Sequence, residues 1–330
     1  MRYVVTGGAG FIGSNYVRML LEGRMAAAAP SALTVLDKLT YAGVRANLDP
    51  VAGDPRLTFV EGDICDPACV DDVLAGADVV VHFAAESHVD RSITGAADFV
   101  LTNVLGTQTL LDAARRHHVA RFVHVSTDEV YGSIEVGSWL ETQPVSPNSP
   151  YAASKASSDL VALAFHRTYG LPVVVTRCSN NYGPHQFPEK VIPLFVTNLL
   201  DGGTIPLYGD GRNVRDWLHV DDHCRGVQLV ADAGRPGEVY NIGGGTELSN
   251  RELTERLLAA VGAGWERVRH VEDRLGHDLR YSVDTSKIAD ELGYRPQVTF
   301  DAGLAATVAW YREHRDWWEP LKARAALVGS

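Results

Sequence analysis

Cysteine is scarce in this chain: four residues, at positions 65, 69, 178 and 224, in 330. Cys65 and Cys69 stand close together, but no second pair follows, so the spacing fits neither a metal site nor a disulfide framework. The thiols read as reduced and the protein as cytoplasmic. No apolar run approaches the roughly 20 residues that a bilayer crossing takes. The sequence opens directly on a strand pattern, so no signal peptide is expected ahead of the fold. Positive charge is short as well. Lys and Arg number 30 against 41 Asp and Glu, a net charge of −11. That balance excludes nucleic acid and anionic membrane surfaces as partners, since both demand a basic face. Internal repeats and charge blocks are absent too. What remains is an ordinary globular composition, 45% hydrophobic, long enough for one large domain or two intimate ones.

Against this plain background one segment stands out. The apolar run Tyr3-Val4-Val5 leads into Gly7-Gly8-Ala9-Gly10-Phe11-Ile12-Gly13, which reads as a strand, a glycine turn and a helix start. In a dinucleotide site Gly7 permits the tight turn, Gly10 lets the backbone approach a pyrophosphate, and Gly13 lets the helix pack closely on the strand. Phe11 and Ile12 begin a helix whose N-terminus offers free N–H groups and a positive dipole end to phosphates. The ligand is anionic and the chain is acidic, so local groups must hold the one against the other's field.

The first half of the chain alternates strands and helices. Short Val-rich strands are expected at residues 3–6, 34–36, 58–60, 79–82, 122–126 and 173–176, apolar throughout as in parallel strands buried on both faces. Helices are expected at 11–21, 100–117 and 150–169, the last with Ser149 as N-cap, Pro150 in its first turn and Gly170 at its end. Alternation of this kind gives an α/β fold, a Rossmann-type doubly wound parallel sheet. Beyond Gly183-Pro184 glycine and proline become frequent, with helices at 193–200, 250–261 and 302–312. This pattern predicts a smaller α/β C-terminal region that closes over the sheet edge and selects the substrate. Residues 238–242 are expected to return to the main sheet. The cofactor domain then comprises 1–186 plus about 214–243, and the substrate domain about 187–213 plus 244–330. Residues 26–30 read as a loop insertion, and those beyond Leu321 as a frayed tail.

Several side chains carry chemistry in this frame. Asp37 ends the second strand, where a carboxylate hydrogen-bonds the adenosine ribose and repels a 2′-phosphate, favouring NAD over NADP. Lys38 beside it weakens that preference. Asp63-Ile64 follows the third strand, where the adenine edge lies, and the small residues of Phe83-Ala84-Ala85 after the fourth let the backbone approach the cofactor. Tyr151 and Lys155 share one helix face. A free tyrosine has a pKa of about 10 and is a poor base at neutral pH; a nearby ammonium lowers it. Ser126-Thr127-Asp128-Glu129 ends the fifth strand. Two adjacent acids point to opposite faces of a strand and share one substrate only if the chain has already turned. Repulsion and burial then separate them into one acid and one base. Lys190, Arg215 and Arg274 are candidate cations for a diphosphate, and Pro206-Leu207-Tyr208 a candidate wall for a base. His88, His219 and His277 match no metal spacing, so no metal is expected.

Taken together, the glycine turn, Asp37, Tyr151/Lys155 and Ser179-Asn180-Asn181-Tyr182-Gly183-Pro184 resemble the extended short-chain dehydrogenase/reductase family. Within it, Asp37-Lys38-Leu39-Thr40-Tyr41-Ala42-Gly43, Ala85-Glu86-Ser87-His88-Val89-Asp90-Arg91-Ser92, Ser126-Thr127-Asp128-Glu129-Val130-Tyr131-Gly132 and Asp273-Arg274-Leu275-Gly276-His277-Asp278 are similar to the sugar-nucleotide dehydratases that act on dTDP-glucose. The Thr-Asp-Glu triplet is the most diagnostic, since related epimerases and decarboxylases keep the tyrosine and lysine without it. The resemblance implies a tightly bound NAD regenerated at each turnover, with Tyr151 as base at C4, Thr127 on the C4 oxygen, Glu129 as base at C5 and Asp128 as acid at C6. It also implies cofactor contacts from Thr40, Ser87, Thr102 and Asn181. Sugar-nucleotide contacts are implied for Ser87, Asn180, Lys190, Pro206, Tyr208, Arg215, Asn250, Arg274 and His277. A homodimer through the two long helices is implied as well. The competing readings are a C4-epimerase or decarboxylase, and a catalytically dead NAD-binding sensor.

Overall fold

A buried parallel strand must be apolar on both faces, and the valine runs of this chain meet that demand. In the computed structural model, which describes residues 1–25, 28–273 and 276–328, they form β1 (Arg2–Thr6), β2 (Ala32–Asp37), β3 (Leu57–Glu61), β4 (Val79–His82), β5 (Arg121–Thr127) and β6 (Val173–Cys178). Alternate side chains go to opposite faces. Val4, Val80, Phe122 and Val175 enter one core, and their neighbours Val5, Val81, Val123 and Val174 enter the other. Helices Phe11–Leu21 and Val220–Ala233 cover the second of these faces. Pro67–Leu74, Thr107–Arg116 and Pro150–Tyr169 cover the first.

The remaining strands are β7 (Asn180–Tyr182), β8 (Ile205–Tyr208), β9 (Val214–His219), β10 (Val239–Ile242), β11 (Glu247–Ser249) and β12 (Val268–Val271). As expected, β10 returns to the main sheet, pairing parallel with β6. The seven-stranded order is β10-β6-β5-β4-β1-β2-β3, parallel throughout. The strand order reverses between β1 and β4, and ligands bind at that switch point, outside the carboxyl ends of the strands. Two small sheets, β11-β9-β7 and β12-β8, lie apart from it. They pack with helices Val191–Leu200, Asn250–Val261 and Phe300–Glu313 around a third core that includes Phe195, Trp217, Leu257, Tyr311 and Trp318.

Two expectations change, and one helix is unforeseen. Residues 322–328 are not frayed: a final helix runs over Arg315–Val328, anchored by fully buried Trp318, and positions 329 and 330 lie outside the described residues. The expected helix 100–117 is two structures, a π-helical stretch Val100–Gly106 and an α-helix Thr107–Arg116. Helix Val220–Ala233 gives little sign of itself in the sequence because Gly226 interrupts its pattern. A Cβ at that glycine would stand 2.8 Å from Ile242 Cγ2, so close packing on β10 is what requires it. Of the expected insertion at 26–30, positions 26 and 27 lie outside the described residues. No helix among the described residues is long and apolar enough to cross a membrane.

Candidate active site

A cleft of about 680 Å³ runs along the carboxyl edge of the main sheet. Its first arm is built from backbone. Gly7 has φ of +69°, and a Cβ there would sit 2.5 Å from Ala84 N; a Cβ at Gly13 would collide with Gly7 O. The turn from β1 can therefore lie flat against both the loop after β4 and the following helix only because both positions lack a side chain. Asp37, at the end of β2, is 9% exposed. Its Oδ2 accepts from Ala9 N and its Oδ1 from Leu39 N, both at 2.9 Å, and each oxygen has capacity for a further donor. Lys38 Nζ donates to Asp63 Oδ2 at 2.6 Å, so this cation is already matched by a carboxylate. All the expected cofactor residues line the cleft: Gly7, Gly10, Phe11, Ile12, Gly13, Asp37, Lys38, Thr40, Asp63, Ile64, Phe83, Ala84, Ala85, Ser87, Thr102, Tyr151, Lys155 and Asn181. The glycine cradle, the carboxylate and the length of the cleft suit NAD.

The five expected catalytic residues meet at the other end. β5 stops at Thr127, and a single 3-10 turn, Asp128–Tyr131, follows. The chain has thus turned before the two acids, which is the condition for both to face one substrate. Thr127 Oγ1 accepts from Glu129 N and donates to Asp128 Oδ1, each at 3.3 Å. Asp128 is 2% exposed and its Oδ2 has no hydrogen-bond partner. Burial pushes its carboxyl well above the usual range, and the charges of Glu129 and Asp216 push it further. Tyr151 and Lys155 project from helix Pro150–Tyr169, whose N-cap Ser149 and leading Pro150 stand as the sequence predicts.

One electrostatic expectation is corrected. The phenol of Tyr151 is not lowered: burial raises it well above its ordinary value and the charge of Glu129 adds to that, against a hydrogen bond with Thr127. Lys155 Nζ donates to Val125 O at 2.8 Å, and burial lowers Lys155 itself.

The expected sugar-nucleotide residues fall into two groups. Ser87, Thr127, Asn180 and Lys190 line the cleft, where Lys190 Nζ donates to Ser87 O at 2.8 Å. Pro206, Tyr208, Arg215, Asn250 and His277 do not. They gather beyond it, around the segment that ends at Asp278. Tyr208 and His277 meet ring to ring at 6.3 Å. Arg215 Nη2 donates to Asp278 O at 3.0 Å, and Asn213 binds that carbonyl as well as Asn250 N. Arg274 lies outside the described residues. The charge of Arg215 still reaches Asp128, so the two groups adjoin. His88 and His219 cap helices, accepting from Arg91 N and Asp221 N.

Other residues of the site escape a reading of the sequence. Glu189 lines the cleft and accepts from Arg91 Nη2 at 3.0 Å, with His88 Nε2 at 3.7 Å. The Arg91 guanidinium in turn lies 3.6 Å over the Tyr41 ring, which packs edge-on against Phe187. Three loops, after β2, β4 and β7, are thereby clasped across the cleft. Asn103, in the π-helical stretch, exchanges hydrogen bonds with the backbone of Glu86 and donates to Ser154 Oγ at 2.8 Å. No local signal marks Glu189 or Asn103, because their hydrogen-bond partners lie 17 to 98 positions away.

Known proteins repeat this arrangement. The family model described as GDP-mannose 4,6 dehydratase matches residues 4–307. A dTDP-glucose 4,6-dehydratase of Streptomyces antibioticus is 68% identical over 327 residues, 99% of this chain and 97% of that protein. Another, of Streptomyces niveus, is 62% identical over 330 residues, 100% of this chain and 98% of that one. Among solved structures, the Streptomyces venezuelae dTDP-glucose 4,6-dehydratase DesIV, with NAD and dTDP bound, superposes with a TM-score of 0.96 at 67% identity, covering 97% of this chain and 100% of that one. The chain belongs to the dTDP-glucose 4,6-dehydratases of the extended short-chain dehydrogenase/reductase family.

Proposed function

We propose that this protein converts dTDP-glucose to dTDP-4-keto-6-deoxyglucose and water, within deoxysugar biosynthesis. The single observation that carries the reading is the pairing of a buried Asp128, whose carboxyl burial pushes well above its usual range, with Glu129 on one turn beside Thr127 and Tyr151. A simple C4 oxidation needs no such pair; an elimination of water needs an acid and a base together.

NAD, held along the glycine cradle and Asp37, takes a hydride from C4 of the glucose and returns it to C6, ending as it began. Tyr151 takes the proton of the C4 hydroxyl, and Thr127 holds the C4 oxygen. Lys155 supplies the positive charge that lets a phenol so strongly raised by burial give up its proton during the reaction. The C4 ketone acidifies the neighbouring C5–H, and Glu129 removes that proton. Asp128 delivers its own proton to the C6 hydroxyl, which departs as water, and as the hydride reaches C6 a proton returns to C5 to complete the 4-keto-6-deoxy sugar. Ser87, Asn180 and Lys190 contact the sugar nucleotide inside the cleft. Pro206, Tyr208, Arg215, Asn250, Arg274 and His277 contact its nucleotide end.

We read residues 1–186 with about 214–243 as the cofactor domain and the rest as the substrate domain, although β9, inside the second cofactor span, pairs with β7 and β11 rather than with the main sheet. The protein is taken as a cytoplasmic homodimer. Val100, Leu101, Leu105 and Leu160 are 46–56% exposed on the two long helical segments, an apolar face that a second copy covers. Light scattering gives the oligomeric state, and cell fractionation the compartment.

The decisive experiment is incubation with dTDP-glucose. A product one water lighter, with a methyl group at C6 and a ketone at C4, is expected. Formation of dTDP-galactose instead would make the protein a C4-epimerase, and NAD retention without any turnover would leave a binding protein.

A further inference from the structure

The helix of Tyr151 and Lys155 carries a third polar group one turn further on. Residues 151, 155 and 159 stand at i, i+4 and i+8, on one face. Lys155 and Asp159 are 4% and 0% exposed. Asp159 Oδ2 accepts from Arg177 Nε at 2.9 Å, and Asp159 Oδ1 lies 3.3 Å from His124 Nε2. The Arg177 guanidinium lies 4.6 Å from the ring centroid of Tyr131. Tyr131 closes the turn that bears Asp128 and Glu129, and its hydroxyl donates to Asn241 Oδ1 at 2.9 Å. A buried chain of contacts thus runs from Asp159, one turn beyond Lys155, through Arg177 to the turn that bears the Asp-Glu pair.

The charges on this path do not balance pairwise. Two buried cations stand about Asp159: Arg177 bonds its carboxylate, and Lys155, one turn before it on the same helix, feels its charge while donating to Val125 O. The other titratable groups around Lys155 are Tyr151 on its own helix, His82 on β4, His124 on β5 and Cys178 on β6. Burial lowers both histidines and raises Cys178 and Tyr151, so it disfavours the charged form of each. Among these groups Asp159 carries the negative charge. Burial works against the Lys155 ammonium and Asp159 works for it.

Resting on the dehydratase reading above, we propose that Asp159 and Arg177 are positioning residues: Asp159 is the counter-charge of the Lys155 ammonium, and Arg177 divides that charge while holding the Asp128–Glu129 turn against the same helix. Neither touches substrate or cofactor. Two disruptions of one ion pair should then act in opposite directions on Lys155. Losing the carboxylate removes support from the ammonium. Losing the guanidinium leaves the carboxylate wholly to it.

The test titrates Lys155 directly in NAD-loaded protein labelled with carbon-13 at lysine Cε. The chain has five lysines, at 38, 155, 190, 287 and 322, so assignment by a Lys155→Met control is simple. Asp159→Asn should move the Lys155 midpoint down by about one pH unit, as an opposite charge at this range is worth about one to three. Arg177→Gln should move it up. The double variant Asp159→Asn/Arg177→Gln strands no buried charge and so tolerates the change best; its midpoint should fall between those of the single variants. Arg177→Lys should restore the wild-type midpoint. The high-pH limb of NAD reduction by dTDP-glucose should move with the midpoint. Midpoints that stay put, or that move the same way in both single variants, overturn the proposal. Should wild-type protein fail to turn dTDP-glucose into the 4-keto-6-deoxy product, the dehydratase reading falls while the lysine titration still decides this one.

Discussion

The two arms of the site are built on opposite plans. The cofactor arm is made of main chain: strand ends, a glycine turn and a helix start, with Asp37 as its chief side chain. The nucleotide arm proposed above is made of side chains standing on short strands and a connecting segment: Tyr208 on β8, Arg215 on β9, His277 before Asp278. A backbone site depends on what is missing at a few positions and fails completely when a Cβ is added. A side-chain site is a sum of separate contacts and fails by degrees. Between them sits the catalytic turn, whose two acids belong to neither plan.

The contrast is broken most severely at Gly13. Gly13→Ala puts a Cβ into Gly7 O, with backbone on both sides and no side chain to give way. The purified protein should contain no NAD and should unfold at markedly lower temperature, as absorbance and calorimetry will show. A stable, NAD-loaded variant would mean that the turn is not the rigid cradle described. Next in size is the catalytic turn. Asp128→Asn should leave C4 oxidation intact and cut elimination by about 10²–10⁴-fold, the range for loss of a general acid. NADH then accumulates, visible near 340 nm as a flag that wild-type enzyme never raises for long. Turnover at the wild-type rate removes Asp128 from its role. In the nucleotide arm, Tyr208→Ala should raise KM by about tenfold, which is about 1.4 kcal/mol of lost contact, with kcat little changed. A fall in kcat of that size would place Tyr208 in the chemistry instead.

The same contrast explains what the sequence reveals. The six strands of the first half and the return of β10 are legible because parallel strands need continuous apolar runs and the turn between β1 and its helix needs glycine. Tyr151 and Lys155 are legible because one helix carries both, and the Thr127-Asp128-Glu129 run because its members are consecutive. Strands β7, β8, β9, β11 and β12 are short and polar in part, and their pairing spans long stretches of chain, so no local period betrays them. Glu189, Arg91, Asp159 and Arg177 are ordinary charges in the sequence. Only the fold brings Glu189 onto Arg91 and Arg177 onto Asp159.

The loop clasp tests whether side chains matter to the backbone-built arm at all. Glu189→Gln keeps the shape but removes the charge that Arg91 pairs with. Bound NAD should leave several times faster, measured by displacement with excess labelled NAD, while the amount bound at saturation stays the same. An unchanged rate would leave retention to the main chain alone.

The smallest expected effect concerns stability and sharpens the place of the catalytic turn. Asp128 in the folded protein holds its proton far above the usual range because burial and the charge of Glu129 disfavour the carboxylate. In the unfolded chain the same group titrates near about 3.9. At pH well below that value both states are protonated and folding is indifferent to it. Above it the unfolded chain releases a proton that the native state keeps, so stability falls as pH rises toward the native value. Asp128→Asn removes this linkage without changing the shape. The variant should therefore gain on the wild type as pH goes from 5 to 8, its melting temperature rising relative to wild type by a few degrees, although its elimination step is lost. The comparison is the difference between the two proteins at each pH, so that acid effects elsewhere cancel. A difference that stays constant over this range would mean that Asp128 is ionised in the native state, and the acid for the C6 hydroxyl would have to be sought among other groups lining the cleft.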